Sequence, residues 1–142
     1  MPSIVIPITA EGAIIEVLIG VSHAKSVALA KLGQPVPSPI KARLLVDTGA
    51  SATNIQVGLL NPLSLTPTGS TMVFTSTSGS TPVPQALFDV SISLGQNLFV
   101  PNCAVVECQQ LGGSIQGLLG RDILATCIMH YNPLLGHAVL SF

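Results

Sequence analysis

Charge is what this chain lacks most. Five Lys and Arg and six Asp and Glu are spread over 142 residues, 8% in all, for a formal net charge of −1. No basic run exists to track a phosphate backbone, which excludes nucleic acid as the main ligand. Cysteine is also scarce. Three cannot make a disulfide framework, and an odd count leaves one unpaired. A reducing, cytoplasmic setting is the simpler reading. Uninterrupted apolar runs of membrane-spanning length are missing too, so no membrane association is expected. The apolar stretch Met1 to Gly20 has no Lys or Arg ahead of its apolar part, and Glu11 and Glu16 interrupt it. It is therefore not expected to be a targeting segment. There is no Gly-Xaa-Ser-Xaa-Gly elbow, no phosphate-binding Gly-Lys-Ser/Thr loop and no Gly-Xaa-Gly-Xaa-Xaa-Gly.

Apolar residues are what remains, at 48% of the chain. That is too many for disorder. The length suits one domain, residues 1–142, around one core. So little polar surface predicts that a partner subunit covers some of the apolar area.

Short apolar runs alternate with Gly, Pro, Ser and Thr clusters, the pattern of an all-β chain. Strands are expected at 3–8, 13–19, 40–46, 98–106, 115–119 and 138–142, with strand or turn at 53–60. Met72 to Thr75 and Ala86 to Ile92 flank a polar stretch and predict a hairpin. Ser22 to Gly33, with Ser at its start and Gly at its end, predicts a short helix, followed by a Pro-rich connector. Asp122 to Met129 is the expected C-terminal helix.

The informative stretch is Arg43-Leu44-Leu45-Val46-Asp47-Thr48-Gly49-Ala50-Ser51. A carboxylate at the end of an apolar strand loses solvation and needs a purpose. The bland alternative is a turn residue, since Asp-Xaa-Gly is common in turns. A second stretch, Gly117-Leu118-Leu119-Gly120-Arg121-Asp122-Ile123-Leu124, lies downstream. The first resembles the hydrophobic-hydrophobic-Asp-Thr-Gly-Ala motif of aspartic peptidases. The second resembles the hydrophobic-Gly-Arg-Asp/Asn helix start of retroviral-type, retropepsin-like proteases. Their order and spacing match that family, and the absence of a targeting segment favours a cellular or bacterial member.

The resemblance implies a closed retropepsin-like β-barrel with a flap hairpin, a short C-terminal helix and here one inserted helix at 22–39. It implies an aspartic endopeptidase in which Asp47 is catalytic, with Thr48 and Gly49 setting the active-site geometry. Two carboxyls about 3 Å apart share one proton, so the ionised member activates water while the protonated one donates to the scissile carbonyl. The chain carries a single Asp-Thr-Gly. A homodimer with Asp47 from each chain on the twofold axis follows from the mechanism. The resemblance places the terminal strands of both chains, about 2–6 and 138–142, in an interleaved contact. It assigns peptide contacts to Ala50, Ser51 and the flap tip Thr77, Ser78 and Gly79, with Arg121 a structural brace. The expected substrate is an extended peptide with apolar residues flanking the cut, and no metal or organic cofactor is required.

Two departures stand out. Ser51 occupies a position where viral enzymes often carry an acid that pairs with the Arg. Arg121 must therefore find Asp122, a backbone carbonyl or the C-terminus instead. The flap also lacks a pepsin-like Tyr. Cys103, Cys108, Cys127 and His130 have too loose a spacing for zinc and read as buried thiols. His23 and His137 read as surface or packing residues. A non-hydrolytic dimerisation or peptide-binding module is the alternative, because a fold does not guarantee its chemistry.

Overall fold

The structure is a computed structural model that describes residues 1–75, 78–109 and 111–142. Among the described residues, ten strands form one sheet that curls into a barrel. Chain order runs β1 Ser3–Thr9, β2 Gly12–Val21, α1 His23–Lys31, β3 Ile40–Val46, β4 Asn54–Gln56, a 3-10 turn Asn61–Leu63 and β5 Gly69–Val73. It continues with β6 Val83–Leu94, β7 Leu98–Cys108, β8 Gly117–Leu119, α2 Arg121–Leu124, β9 Ile128–Asn132 and β10 His137–Ser141.

Side-chain alternation explains how the barrel closes. Along β2, Ala13, Ile15, Val17, Ile19 and Val21 are buried, whereas Glu16 and Leu18 point outward. This strand pairs with β3 on one side, Ile14 to Ile19 against Leu45 to Ile40, and with β6 on the other, Val17 to Val21 against Leu94 to Val90. The ring β2–β3–β8–β4–β7–β6 then returns to β2, giving six strands without an open edge. Leu44, Ile92, Leu94, Val105 and Leu119 fill its interior. Each such side chain contributes roughly 1.5–3 kcal/mol by leaving water. β5 extends the sheet from β6, and β1, β10 and β9 extend it from β2.

The inserted helix forms as expected. The Ser22 hydroxyl accepts from the Lys25 amide at 3.2 Å and caps α1. None of its residues is buried, so it decorates the surface.

The C-terminal helix is shorter than expected. It stops after Leu124, and residues 128–132 form β9 instead of a continued helix. Thr126 Oγ1 and Cys127 Sγ donate back to the Ile123 carbonyl, and Ile128 to Asn132 pair with Ser141 to His137. The strand partner outweighs a weak local helix preference. The terminal strands differ from expectation as well. β1 pairs with β10 inside one chain, and β10 is flanked on its other side by β9. Both edges of β10, one of the two strands expected to interleave with a second chain, are already occupied.

Candidate active site

β3 and β8 run parallel, with Leu44 opposite Gly117 and Val46 opposite Leu119. Both strands therefore end at one level, and the segments leaving them, 47–53 and 120–124, meet. Along β3, Ala42 and Leu44 face the core. Arg43, Leu45 and Asp47 take the opposite side by alternation. Asp47 is half-buried, while Thr48 and Gly49 are exposed.

Backbone and side-chain bonds fix this loop. The Asp47 amide donates to the Leu119 carbonyl at 3.0 Å. The Gly49 amide donates to Asp47 Oδ1 at 2.8 Å. A Cβ on Gly49 would stand 3.0 Å from that same oxygen, so the missing side chain permits the close approach. Gly49 has no positive φ; its role here is space and not left-handed freedom. Arg121 reaches under the loop. Its Nη1 donates to the Thr48 carbonyl at 2.8 Å and the Gly49 carbonyl at 3.3 Å, and its amide donates to the Ala50 carbonyl at 2.9 Å. Of the partners open to Arg121 from sequence, backbone carbonyls are the ones it takes.

Sequence reasoning missed a second anchor. Thr53 is fully buried, and its hydroxyl donates to Asp122 Oδ1 at 2.7 Å. Its amide donates to Asp122 Oδ2 at 2.9 Å, and its hydroxyl accepts from the Gly120 amide at 3.1 Å. Asp122 also accepts from the Ile123 amide at 2.9 Å, which ties the anchor to the start of α2. The available signal was a Thr at the start of the expected strand or turn 53–60 and an acid in the first turn of a helix. Neither reveals a partner 69 residues away.

Residues 30–123 match a family model described as aspartyl protease. The chain belongs to the aspartyl protease family. A crystal structure of a retropepsin-like aspartic protease from Rickettsia conorii is similar to this chain, with a TM-score of 0.60 and 18% identity. The match covers 98% of this chain and 89% of that one. At that identity the likeness shows the fold, which is retropepsin-like. No curated protein matches the sequence.

Within this aspartyl protease the expected peptide contacts divide into groups. The Ala50 amide and carbonyl are both bonded internally, to the Asp47 carbonyl at 3.3 Å and the Arg121 amide at 2.9 Å. The Gly49 carbonyl holds a long bond to Arg121 and keeps a second lone pair. Ser51 is exposed. Ser78 and Gly79 lie in the turn between β5 and β6, and Thr77 lies outside the described residues. Leu45 and Leu118, which sequence reasoning did not single out, are register neighbours and both half-exposed. They place an apolar ledge on the face that carries Asp47.

The cysteines are free. Burial pushes the Cys103 thiol up to about 12, and burial raises Cys108 as well. Among the described residues, no three His, Cys, Asp or Glu gather to hold a metal ion, and no helix is long and apolar enough to cross a membrane.

Proposed function

We propose that this protein is a homodimeric aspartic endopeptidase, with Asp47 of each chain forming the catalytic pair. The observation that carries this reading is Asp47 itself, a half-exposed carboxyl at a barrel strand end on a loop bonded from beneath. One chain supplies one Asp-Thr-Gly, so the second carboxyl comes from a twin. The exposure of Thr48 and Gly49 supports a contact across the axis at that point. So does the β9–β10 hairpin that follows α2, where Ile128, Tyr131, Leu134 and Leu135 are exposed and β9 is the sheet edge. A partner covering this hairpin replaces the interleaved strands implied by the resemblance.

In this mechanism the paired carboxyls share a proton, activate one water and protonate the leaving side, with no covalent intermediate. Thr48 and Gly49 set the geometry, and Arg121 braces it from below. The Gly49 carbonyl, Ser51 and the tip residues Thr77, Ser78 and Gly79 contact the peptide backbone. Apolar side chains beside the cut rest on Leu45 and Leu118. No metal or cofactor takes part. The free cysteines support a cytoplasmic setting.

The test is cleavage of a diverse peptide library by the wild type and by Asp47→Asn, from about pH 4 to 7. Asp47→Asn is expected to lose at least the roughly 10²–10⁴-fold that acid–base catalysis supplies, with its melting temperature retained. Wild-type rates should rise faster than linearly with enzyme concentration. A folded dimer that cuts nothing would establish the non-hydrolytic module instead.

A further inference from the structure

At the far end of the β3 row that carries Asp47, three distant segments are joined by one small polar network. Glu11 sits in the two-residue turn between β1 and β2. Its Oε2 accepts from the Ser114 amide at 3.0 Å, and its Oε1 accepts from the Ser114 hydroxyl at 2.8 Å. Arg43 Nη2 donates to that same hydroxyl at 3.1 Å. The loop around Ser114 is also stitched to β3: the Arg43 amide donates to Gln116 Oε1 at 3.0 Å, and the Gln116 amide donates to the Arg43 carbonyl at 2.8 Å.

The sequence builds this clasp deliberately. Gly112 and Gly113 have φ of +84° and +60°, a double left-handed turn that aims the Ser114 amide at Glu11. A Cβ at Gly113 would strike the Glu11 carboxylate. The β1–β2 turn simultaneously presses on the apolar ledge, because a Cβ at Gly12 would stand 2.8 Å from Leu45 Cδ1.

Arg43, Leu45 and Asp47 share one face of β3, about 7 Å apart from one to the next. Leu118 lies beside Leu45. The clasp therefore closes one end of the Leu45–Leu118 ledge, and the catalytic carboxyl marks the other.

We propose that the Glu11–Ser114–Arg43 clasp is the end wall of the pocket beside Asp47, and that Glu11 is a positioning residue which limits the size of the side chain accepted next to the cut. This inference rests on the endopeptidase reading. Glu11 acts through Ser114 and does not touch the reacting atoms. The Ser114 bonds and the Arg43 charge hold its carboxyl below the usual carboxylate range. A depressed folded value means the clasp is intact above the ordinary glutamate pKa and lost as pH falls through the folded one. The wall thus survives to lower pH than it would with an ordinary glutamate in that place.

The experiment compares kcat/KM for matched peptides with Leu or Phe beside the cut, using wild type, Glu11→Gln and Ser114→Ala, with melting temperatures measured in parallel. Wild type is expected to favour Leu. Both variants should raise the Phe/Leu ratio by about tenfold, the low end of what a pocket wall discriminates, with the change carried mainly by KM for the Phe peptide. Glu11→Asp, one methylene shorter, should fall between. Wild-type cleavage with an unaltered ratio in both folded variants would overturn the clasp alone. A wild type that cuts neither peptide nor any library member would overturn the endopeptidase reading and the clasp with it.

Discussion

The loop 47–53 and the hairpin tip between Val73 and Val83 are both turns that leave barrel strands, yet they are held in opposite ways. The loop is fixed from a distance: Thr48, Gly49, Ala50 and Thr53 bond to residues 120–122, about half the chain away. The tip is knit to itself. The Thr75 amide donates to Ser78 Oγ at 2.9 Å, the Ser78 amide donates to Thr75 Oγ1 at 3.1 Å, and the Thr81 amide donates to the Ser78 carbonyl at 3.2 Å. A carboxyl proposed to be catalytic needs placement to a fraction of an ångström, which long-range bonds to a rigid core provide. A segment proposed to close over peptide needs a shape of its own that can travel as a unit.

The sharpest way to break this contrast is one substitution made in both regions, glycine to alanine. Gly120 lies under the loop, and an added Cβ would press on the Ala52 carbonyl and the Thr53 amide. Those atoms are backbone already fixed by the loop's own bonds. Gly120→Ala is expected to cost about 3 kcal/mol or more, the upper part of the range for overpacking, and to abolish cleavage. Urea unfolding measures the first and peptide turnover the second. A shift below about 1 kcal/mol would mean that the loop yields, and that its long-range bonds do not fix it.

A gentler cut tests the anchor itself. Thr53→Val keeps the shape and removes the hydroxyl, leaving the Gly120 amide without that acceptor and Asp122 Oδ1 without that donor. The expected loss is about 1–3 kcal/mol, the range for stranding a buried polar group. Asp122→Ala should cost less in the Thr53→Val background than alone, because the two residues share one network. Additive losses in that double-mutant cycle would show that the pair is not coupled.

Legibility in sequence follows the same division. The strand delivering Asp47 was readable to its ends at Ile40 and Val46, because its apolar run is local and stops at a turn motif. Ser22 announced α1 for the same reason. The aspartyl protease family was legible from two short motifs. The C-terminal helix was overextended because Leu124 to Met129 carries no local stop, and the pairing of β9 with β10 that wins there is a contact between strands. The Thr53–Asp122 anchor, the Leu45–Leu118 ledge and the Glu11–Ser114 clasp were invisible. Each exists only once β8 lies beside β3 or the first turn folds against the loop before β8.

The matching substitution at the tip should be mild. Gly79 has φ of +62°, and an added Cβ there meets nothing within 4 Å among the described residues. The whole penalty of Gly79→Ala is then the left-handed conformation, about 1–2 kcal/mol and confined to the turn. Because the bonds among the described residues of the tip close between residues 75 and 81, that penalty should relax locally and scarcely lower the global unfolding midpoint. If the tip closes over peptide, the strain appears in KM, with kcat altered less than about tenfold, since the proposed carboxyl pair is untouched. A fall in the unfolding midpoint as large as that of Gly120→Ala would show the hairpin to be part of the same rigid unit as the loop. A tip built into the barrel in that way could not move apart from the carboxyl proposed to be catalytic, and the functional difference drawn between the two regions would disappear.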